Sequence, residues 1–224
     1  MKNSAKLIKE SIQLFNEDHH QDQLNSIYHK IPSGSCNGCG NCCEESVHLF
    51  YSEFLSIYQY LEKENKVDET LEKVKTFHRN EWAKPQKCVF LTKDNLCEIY
   101  AVRPLVCRLF GHKSKHQHNK DYKKIKKRNK SVDQAVYIEY GVHISKEVLN
   151  HKIKFCKSFE SDKVLSPEAR TLIMDEMYGL EMNYLTADII SDEDFEKSLT
   201  QWFIDYFIKD YKDPRVKIEA ISRQ

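Results

Sequence analysis

The stretch Cys36-Asn37-Gly38-Cys39-Gly40-Asn41-Cys42-Cys43 constrains the fold more strongly than any other part of the sequence. A C-x2-C loop brings two sulfur atoms to one metal at little cost in backbone conformation, and this stretch contains two such steps in succession. Cys36, Cys39 and Cys42 have the spacing of bacterial ferredoxins, in which a fourth ligand comes from elsewhere in the chain. The match is partial, because Ser46 stands where a ferredoxin has its next cysteine. The stretch therefore predicts a metal site that the rest of the chain completes.

Cys43 directly follows Cys42. Side chains of adjacent residues point in different directions, both in extended chain and around a helix. The sequence therefore predicts that these two thiols do not occupy the same metal position. A disulfide between them would be strained, so we do not expect one.

Four further cysteines follow at wider spacing. Cys88, Cys97 and Cys107 are candidate ligands, because a metal needs three or four sulfur atoms within a few ångströms of one another. Cys156 lies far downstream of the others. It is interpreted either as an eighth ligand or as a buried thiol that packs like a small hydrophobic residue.

The number and setting of the cysteines bear on their chemistry. Eight cysteines in 224 residues are too sparse for a small secreted scaffold that is held together by disulfides. The first ten residues are charged and lack the apolar run of a signal peptide, and no apolar stretch is long enough to span a membrane. We therefore expect a cytoplasmic protein without a membrane span, in which clustered thiols bind metal more often than they form disulfides.

Two kinds of metal are compatible with these cysteines. Zinc sites usually combine one C-x2-C pair with a second close pair, whereas the second half of this set is widely spaced. An iron–sulfur cluster of the [4Fe–4S] type uses three clustered cysteines and one remote ligand, and it is favoured here. Zinc is the alternative, including a mixed cysteine–histidine site that uses His112. Seven or eight thiols exceed the need of one four-ligand site, so a second site or an exchange of ligands would use the remainder.

The segment Cys97-Glu98-Ile99-Tyr100-Ala101-Val102-Arg103-Pro104-Leu105-Val106-Cys107-Arg108 makes the pattern specific. Together with Cys88 and the 36–43 stretch, it resembles the YkgJ-type cysteine-cluster family, the CxxCxxCC zinc- or iron-chelating domain. The resemblance covers about a third of the chain. It implies that seven cysteines are metal ligands: Cys36, Cys39, Cys42, Cys43, Cys88, Cys97 and Cys107. The same domain occurs in flagellin lysine N-methylases, and the resemblance therefore adds a protein-modifying metalloenzyme to the functions to be weighed.

Arg103 and Arg108 flank Cys107 and are candidate partners of a bound cofactor. A cluster held by thiolates carries net negative charge, so a guanidinium group can neutralise it and donate hydrogen bonds to sulfur. The alternative is that both arginines pair with carboxylates elsewhere in the chain. Tyr100 either covers the site from water or packs as an ordinary tyrosine.

The remaining sequence predicts one domain, mainly α-helical with a small β-hairpin (α+β), in which a helical body surrounds a metal-binding region at 32–110. Helical periodicity begins before the cysteines and continues through Phe54, Ile57, Tyr58 and Leu61, and then through Val67, Leu71 and Val74. The hairpin is expected around the turn Asp94-Asn95, and Pro104 is expected to begin a helix. A short strand is predicted at 135–138.

A C-terminal pair of helices is predicted at 166–213. The first follows Ser166 and places five apolar residues on one buried face: Ala169, Leu172, Ile173, Met177 and Leu180. The second begins at Ser191 and ends at Pro214. Its predicted buried face consists of Phe195, Leu199, Trp202, Phe203 and Tyr206. These aromatic residues are interpreted as core rather than as a ligand pocket.

A basic insertion is predicted at 112–130, after the last clustered cysteine. Residues 113–130 carry nine lysines or arginines and a single acid, Asp121, while the whole chain has a net charge of +1. His112, His116 and His118 lie at the start of this insertion. It is interpreted either as a surface for an acidic partner, such as RNA or DNA, or as a solvated, flexible insertion, and the second is favoured because it lacks a series of base-stacking aromatic residues.

Three functions follow from these features. The first is a metal-binding protein, iron–sulfur or zinc, with a redox or cluster-carrying role and an unidentified protein or redox partner. The second is a metalloenzyme of the protein lysine N-methylase type, for which the sequence has no G-x-G-x-x-G loop and no C-x3-C-x2-C motif of radical S-adenosylmethionine enzymes. The third is an adaptor module whose metal is purely structural. Metal content would distinguish them first.

Overall fold

The computed structural model describes residues 4–44 and 46–222. These residues form α-helices and one antiparallel pair of two-residue strands, which confirms the mainly α fold. The helices are α1 (Ser4–Glu17), α2 (His20–Tyr28), α3 (Tyr51–Lys63), α4 (Val67–Asn80), α5 (Leu105–Phe110), α6 (Lys115–Tyr140), α7 (Lys146–Asn150), α8 (Pro167–Thr186), α9 (Leu199–Phe207) and α10 (Arg215–Ile221). The strands are β1 (Gly34–Ser35) and β2 (Glu160–Ser161), paired Gly34 to Ser161 and Ser35 to Glu160.

Helix α3 lies at the centre of the helical body. It is apolar on most of its circumference, as expected for a helix that is covered on several sides, and it packs against α1, α2, α4 and α8. Its Phe54 ring stacks on Trp202 of α9 with the ring centroids 5.7 Å apart, and Tyr51 packs on the same indole at 4.9 Å. The aromatic residues of the C-terminal region therefore build the core, as predicted.

Two buried glutamates cap the N-termini of neighbouring helices, a role that short polar residues usually fill. Glu181 of α8 accepts hydrogen bonds from the backbone N–H groups of Tyr51 and Ser52, at 2.7 and 3.0 Å, and so caps α3. Burial raises the pKa of Glu181 to about 7. Glu53 of α3 accepts a hydrogen bond from the N–H of Leu105 at 2.5 Å, and so caps α5. Glu53 therefore joins the helical body to the helix that carries Cys107.

The basic insertion is helical, which corrects two predictions. Residues 115–140 form the single helix α6, so the predicted strand at 135–138 is wrong and the predicted flexible insertion is an ordered helix. Ser114 caps its start by accepting a hydrogen bond from the N–H of Gln117, and Gly141 ends it in a left-handed conformation. The sequence obscures this helix because few of its residues are buried and its apolar positions do not form a stripe.

The predicted hairpin at Cys88–Tyr100 is reduced to a tight loop. Leu91 and Cys97 form one isolated antiparallel bridge, and the N–H of Thr92 donates to the carbonyl of Leu96 at 2.9 Å. Asn95 has a φ of 59°, a left-handed value that suits asparagine in a turn. The turn was therefore predicted correctly, whereas the strands on either side of it were not.

The C-terminal helices also differ from the prediction in detail. The segment from Ser191 forms a short 3₁₀ helix (Asp192–Glu196), and α9 begins only at Leu199. The break occurs because the backbone of 197–199 pairs with that of 47–49, where the N–H of Leu199 donates to Val47 at 2.8 Å. Pro214 caps α10 rather than ending the preceding helix. On the predicted face of α8, Ile173, Met177 and Leu180 are buried and Ala169 is half-buried, whereas Leu172 is 63 % exposed.

None of the described helices combines the length and apolar character needed to cross a bilayer. The predicted boundaries of the metal-binding region, the basic insertion and the C-terminal pair stay predictions.

Candidate metal centre

The first four cysteines lie on a loop that turns sharply between β1 and α3. Gly38 and Gly40 adopt left-handed φ values of 61° and 70°, which a residue with a Cβ atom rarely reaches. Gly40 begins a short 3₁₀ helix, Asn41–Cys43, that carries the last two cysteines. The loop thereby runs inward: Cys36 and Cys39 are exposed, Cys42 is half-buried and Cys43 is buried.

Three more cysteines reach this inner end from separate segments. The N–H of Cys88 donates to the carbonyl of Cys43 at 2.7 Å, which fixes the two segments side by side. Cys97 sits opposite Leu91 in the tight loop, and Cys107 lies in the first turn of α5, the helix capped by Glu53. Pro104 precedes α5 as predicted.

Five thiols consequently form one neighbourhood, and we call them the inner thiols: Cys42, Cys43, Cys88, Cys97 and Cys107. The sulfur atoms of Cys42 and Cys43 are 3.7 Å apart, so the two side chains do not diverge as expected, while their use at separate metal positions stays a prediction. The 3₁₀ turn brings adjacent side chains together in a way that neither extended chain nor α-helix does. The other three are close enough that a negative charge on one raises the pKa of its neighbours.

The inner thiols differ in acidity. A hydrogen bond from the Cys43 thiol lowers the pKa of Cys42 to about 7, although burial opposes this, and the charge of Arg103 acts in the same direction as the hydrogen bond. The same contact, with burial and the neighbouring cysteines, raises the pKa of Cys43 far above its ordinary value. Burial raises the pKa of Cys88 to about 12. The pKa values of Cys97 and Cys107 are also raised, mainly by burial.

The other three cysteines, Cys36, Cys39 and Cys156, form an outer set that we call the outer thiols. Cys156 is half-buried and lies beside Cys39. Burial raises the pKa of the Cys156 thiol, and the charge and hydrogen bond of Cys39 raise it further. Cys156 is therefore not an isolated buried thiol. Within the described chain no contact joins Cys36 to another thiol.

All eight cysteines have free thiols. Within residues 4–44 and 46–222, no three Cys, His, Asp or Glu side chains already surround one point as closely as metal ligands do. The inner thiols are therefore gathered but not closed around a common centre. As a donor set they fit a thiophilic metal, since thiolate sulfur is the preferred ligand of zinc and of iron–sulfur clusters.

The two candidate arginines have different surroundings. The Arg103 guanidinium stacks on the Tyr100 ring at 4.2 Å, and its buried Nε has no hydrogen-bond partner among the described residues. Its charge lowers the pKa of Cys42 and Cys97, so Arg103 lies near these two thiols, and its role as a cofactor partner stays a prediction. Arg108 instead donates to the backbone carbonyls of Arg103 and Ala101 and stacks on Tyr28 at 4.0 Å. Arg108 therefore holds the loop in place.

His112, the histidine considered for a mixed zinc site, packs against the Phe159 ring with centroids 4.8 Å apart. Its Nδ1 lies 3.3 Å from the hydroxyl of Ser161. Burial lowers its pKa, with the charges of Arg170 and Arg103 acting in the same direction. No contact joins it to a cysteine in the part of the chain that is described.

Glu53 is the positioning residue that sequence reasoning missed. It is almost fully buried and accepts hydrogen bonds from the Tyr28 hydroxyl at 2.7 Å and from the N–H of Phe50 at 3.1 Å, in addition to that of Leu105. Burial raises its pKa. The only sequence signal is a carboxylate in the first turn of an otherwise apolar helix, which also suits a solvent-exposed residue.

Residues 35–131 match one family model, CxxCxxCC, described as "putative zinc- or iron-chelating domain". The comparisons with curated proteins and with solved structures give no match. The match contains the 36–43 loop, Cys88, Cys97 and Cys107, and leaves out Cys156. It confirms the predicted resemblance at the level of the domain. Residues 35–131 of this chain are thus similar to a CxxCxxCC zinc- or iron-chelating domain, and the matched region ends within α6.

Proposed function

We propose that the inner thiols bind an iron–sulfur cluster of the [4Fe–4S] type, with zinc as the alternative metal. One observation carries this proposal: five thiols from four separate chain segments meet at one place inside the CxxCxxCC domain. Chance packing rarely gathers so many sulfur atoms from distant positions, whereas a thiophilic metal requires this arrangement.

A metal also accounts for the energetics of the inner thiols. Burial and mutual repulsion raise the pKa of Cys88, Cys97 and Cys107, so the metal-free protein holds them as neutral thiols. A bound cation reverses this balance, because it stabilises each thiolate that it contacts and displaces the protons. Metal binding would then draw the sulfur atoms together and add its free energy to the stability of the surrounding loops.

Two features favour an iron–sulfur cluster over zinc. A structural zinc site usually takes its ligands as two close pairs, whereas the inner thiols come from four separate segments. Arg103, with its buried unpartnered Nε, offers a positive charge and a hydrogen-bond donor beside the sulfur atoms. Such groups tune the potential of an iron–sulfur cluster. In this scheme Arg103 stabilises the cluster, and Arg108 positions the loop that carries Arg103.

A redox or cluster-carrying role fits the exposure of the site. Cys42 is half-buried and, with Cys107, lines a cavity of about 480 Å³ whose wall also includes residues of α6. A cluster there is accessible to a partner protein, as electron transfer or cluster transfer requires. The lysine-methylase and structural-adaptor functions stay predictions, as does the cytoplasmic location.

The test is metal and sulfide analysis of anaerobically purified protein, together with its visible absorption. The proposal expects a brown protein that contains iron and acid-labile sulfide and bleaches on reduction. Colourless protein with stoichiometric zinc would keep the metal site and overturn the iron–sulfur assignment. Protein that takes up neither metal, even after reconstitution with ferrous iron and sulfide or with zinc, would contradict metal binding by the inner thiols.

A further inference from the structure

Next to the cysteine loop lies a second cavity, of about 510 Å³, with a strongly basic lining. We call it the lysine cavity. Four of its nine lining residues are lysines: Lys115, Lys152, Lys154 and Lys157. No carboxylate is among the described residues that line it, although Glu44 accepts a hydrogen bond from the backbone N–H of Lys154 nearby. The lining therefore concentrates positive charge, and no described carboxylate in it neutralises the four lysines.

Two chain segments build the lysine cavity. The extended segment 151–158 alternates in exposure, so that Lys152 and Lys154 face outward while Ile153 and Phe155 are more covered. The first two turns of α6 contribute Lys115 and Asn119. The first N–H groups of a 26-residue helix add partial positive charge at this end, which favours an anion.

His118 is the feature that points to a ligand. It is only 7 % exposed, its ring packs edge-on against Phe110 and Phe155, and its buried Nδ1 has no hydrogen-bond partner among residues 4–44 and 46–222. A buried polar atom without a partner costs about 1–3 kcal/mol, so native proteins seldom retain one unless something else satisfies it. His118 lines the lysine cavity and also the 480 Å³ cavity that reaches Cys42 and Cys107.

The two cavities differ in character, which restricts the kind of ligand. The cavity around the cysteines includes the aromatic residues Trp82 and Phe110 and charged groups of both signs, such as Asp121 and Arg128. The lysine cavity is basic, and both volumes lie in the range of small-molecule sites. A molecule with an anionic group and a less polar body therefore matches the pair, with His118 at the junction.

We propose that the lysine cavity binds the phosphate groups of a small di- or triphosphate, with the body of that ligand extending past His118 toward Cys42 and Cys107. Four lysines match the charge of such a group, and an imidazole nitrogen and the Asn119 amide supply hydrogen bonds to its oxygens. The site depends on α6 and on the 151–158 segment rather than on the inner thiols. Phosphate binding and metal binding can therefore fail separately.

The test is calorimetric titration of the full-length protein with pyrophosphate and with ATP, in both metal-loaded and metal-free forms. The double variant K154Q/K157Q should weaken binding by about tenfold or more, because it removes two charges from the cavity. The matched control K123Q/K127Q removes the same charge from exposed positions of α6 that line neither cavity, and it should change affinity by less than about twofold. His118→Phe keeps an aromatic ring in the Phe110–Phe155 contact but deletes the unpartnered nitrogen, and should cost about tenfold.

Three results would overturn the proposal. The first is no detectable binding of either pyrophosphate or ATP by the wild-type protein. The second is an equal loss in the two double variants, which would mean that diffuse charge rather than the cavity attracts the anion. The third is tighter binding of a single-stranded oligonucleotide than of ATP, lost in K123Q/K127Q, since this would identify the outer face of α6 as a nucleic-acid surface. Circular dichroism of each variant confirms that the helices are retained.

Discussion

All of the inner thiols and two of the outer thiols, Cys36 and Cys39, belong to one sequence pattern, yet the inner and outer sets occupy different environments. The inner five are half-buried or buried and lie close together, on segments tied by backbone hydrogen bonds and by Glu53. The outer three comprise two exposed thiols and the half-buried Cys156, which lies beside Cys39. Equal spacing along the chain therefore does not imply equal roles. The difference predicts that metal content depends on the inner thiols and tolerates changes in the outer ones.

The largest expected effect is that of Cys107→Ser. Cys107 lies in α5 beside Cys88, Cys42 and Cys97, so its loss should abolish stoichiometric metal binding and remove several kcal/mol of metal-linked stability. Metal analysis and thermal unfolding measure both effects. The matched control is Cys36→Ser, which removes an exposed thiol from the same motif and should leave both quantities near wild type. A reversal of these two results would break the distinction between inner and outer thiols.

A smaller effect is expected from Glu53→Gln. The amide retains the size of the side chain but replaces an acceptor oxygen by a donor nitrogen, so at least one of the three hydrogen bonds is lost. We expect a loss of about 1–3 kcal/mol in stability, and metal affinity lower by about tenfold because α5 no longer holds Cys107 in place.

Glu181→Gln is the control for that variant. Glu181 is equally buried but caps α3 instead of α5, so it should lower stability similarly without changing metal affinity. Equal losses of metal affinity in the two variants would show that Glu53 acts through general stability rather than through the position of Cys107.

The inner thiols of the metal-free protein should also differ among themselves as the pH changes. The pKa of Cys42 is lowered to about 7, so its reactive thiolate becomes the major form as the pH rises through about 7. Cys88, with a pKa of about 12, should stay protonated over that range. Alkylation by iodoacetamide, quantified by mass spectrometry between about pH 6 and about pH 9, should therefore be fast at Cys42 and level off above about pH 7, whereas at Cys88 it should be slow and still be rising at about pH 9. Identical pH profiles would contradict the hydrogen bond from Cys43 to the Cys42 thiolate.

The smallest effect on metal content is expected from changes at Cys156. Because Cys156 lies beside Cys39, treatment with diamide should oxidise the two thiols to a disulfide while the diamide is reduced. Peptide mapping should find the Cys39–Cys156 link, with the metal content of the protein unchanged. A link between Cys39 and an inner thiol would show that the loop folds differently.

Sequence reasoning identified the cysteines and much of the helical body because both produce local patterns. The helical periodicity of α3 and α4 and the position of Pro104 before α5 were predicted correctly. The separation of inner from outer thiols was not predictable, since it depends on the 3₁₀ turn at Asn41–Cys43 and on the 151–158 segment returning past the loop.

Buried polar residues were the other gap. Glutamate and histidine are residue types that usually lie on the surface, and only the tertiary structure shows that three of them are buried here: Glu53, Glu181 and His118. Helix α6 was missed for a related reason: its lysines give no apolar stripe, and most of its length is exposed.

The most direct test is the metal content of a triple variant that lacks the outer thiols, C36S/C39S/C156S, purified alongside wild-type protein. The account predicts the same metal per chain as wild type, with an unchanged absorption spectrum, because the inner thiols supply every ligand. Loss of the metal from this variant would contradict the account, because it would show that at least one outer thiol is needed as a ligand.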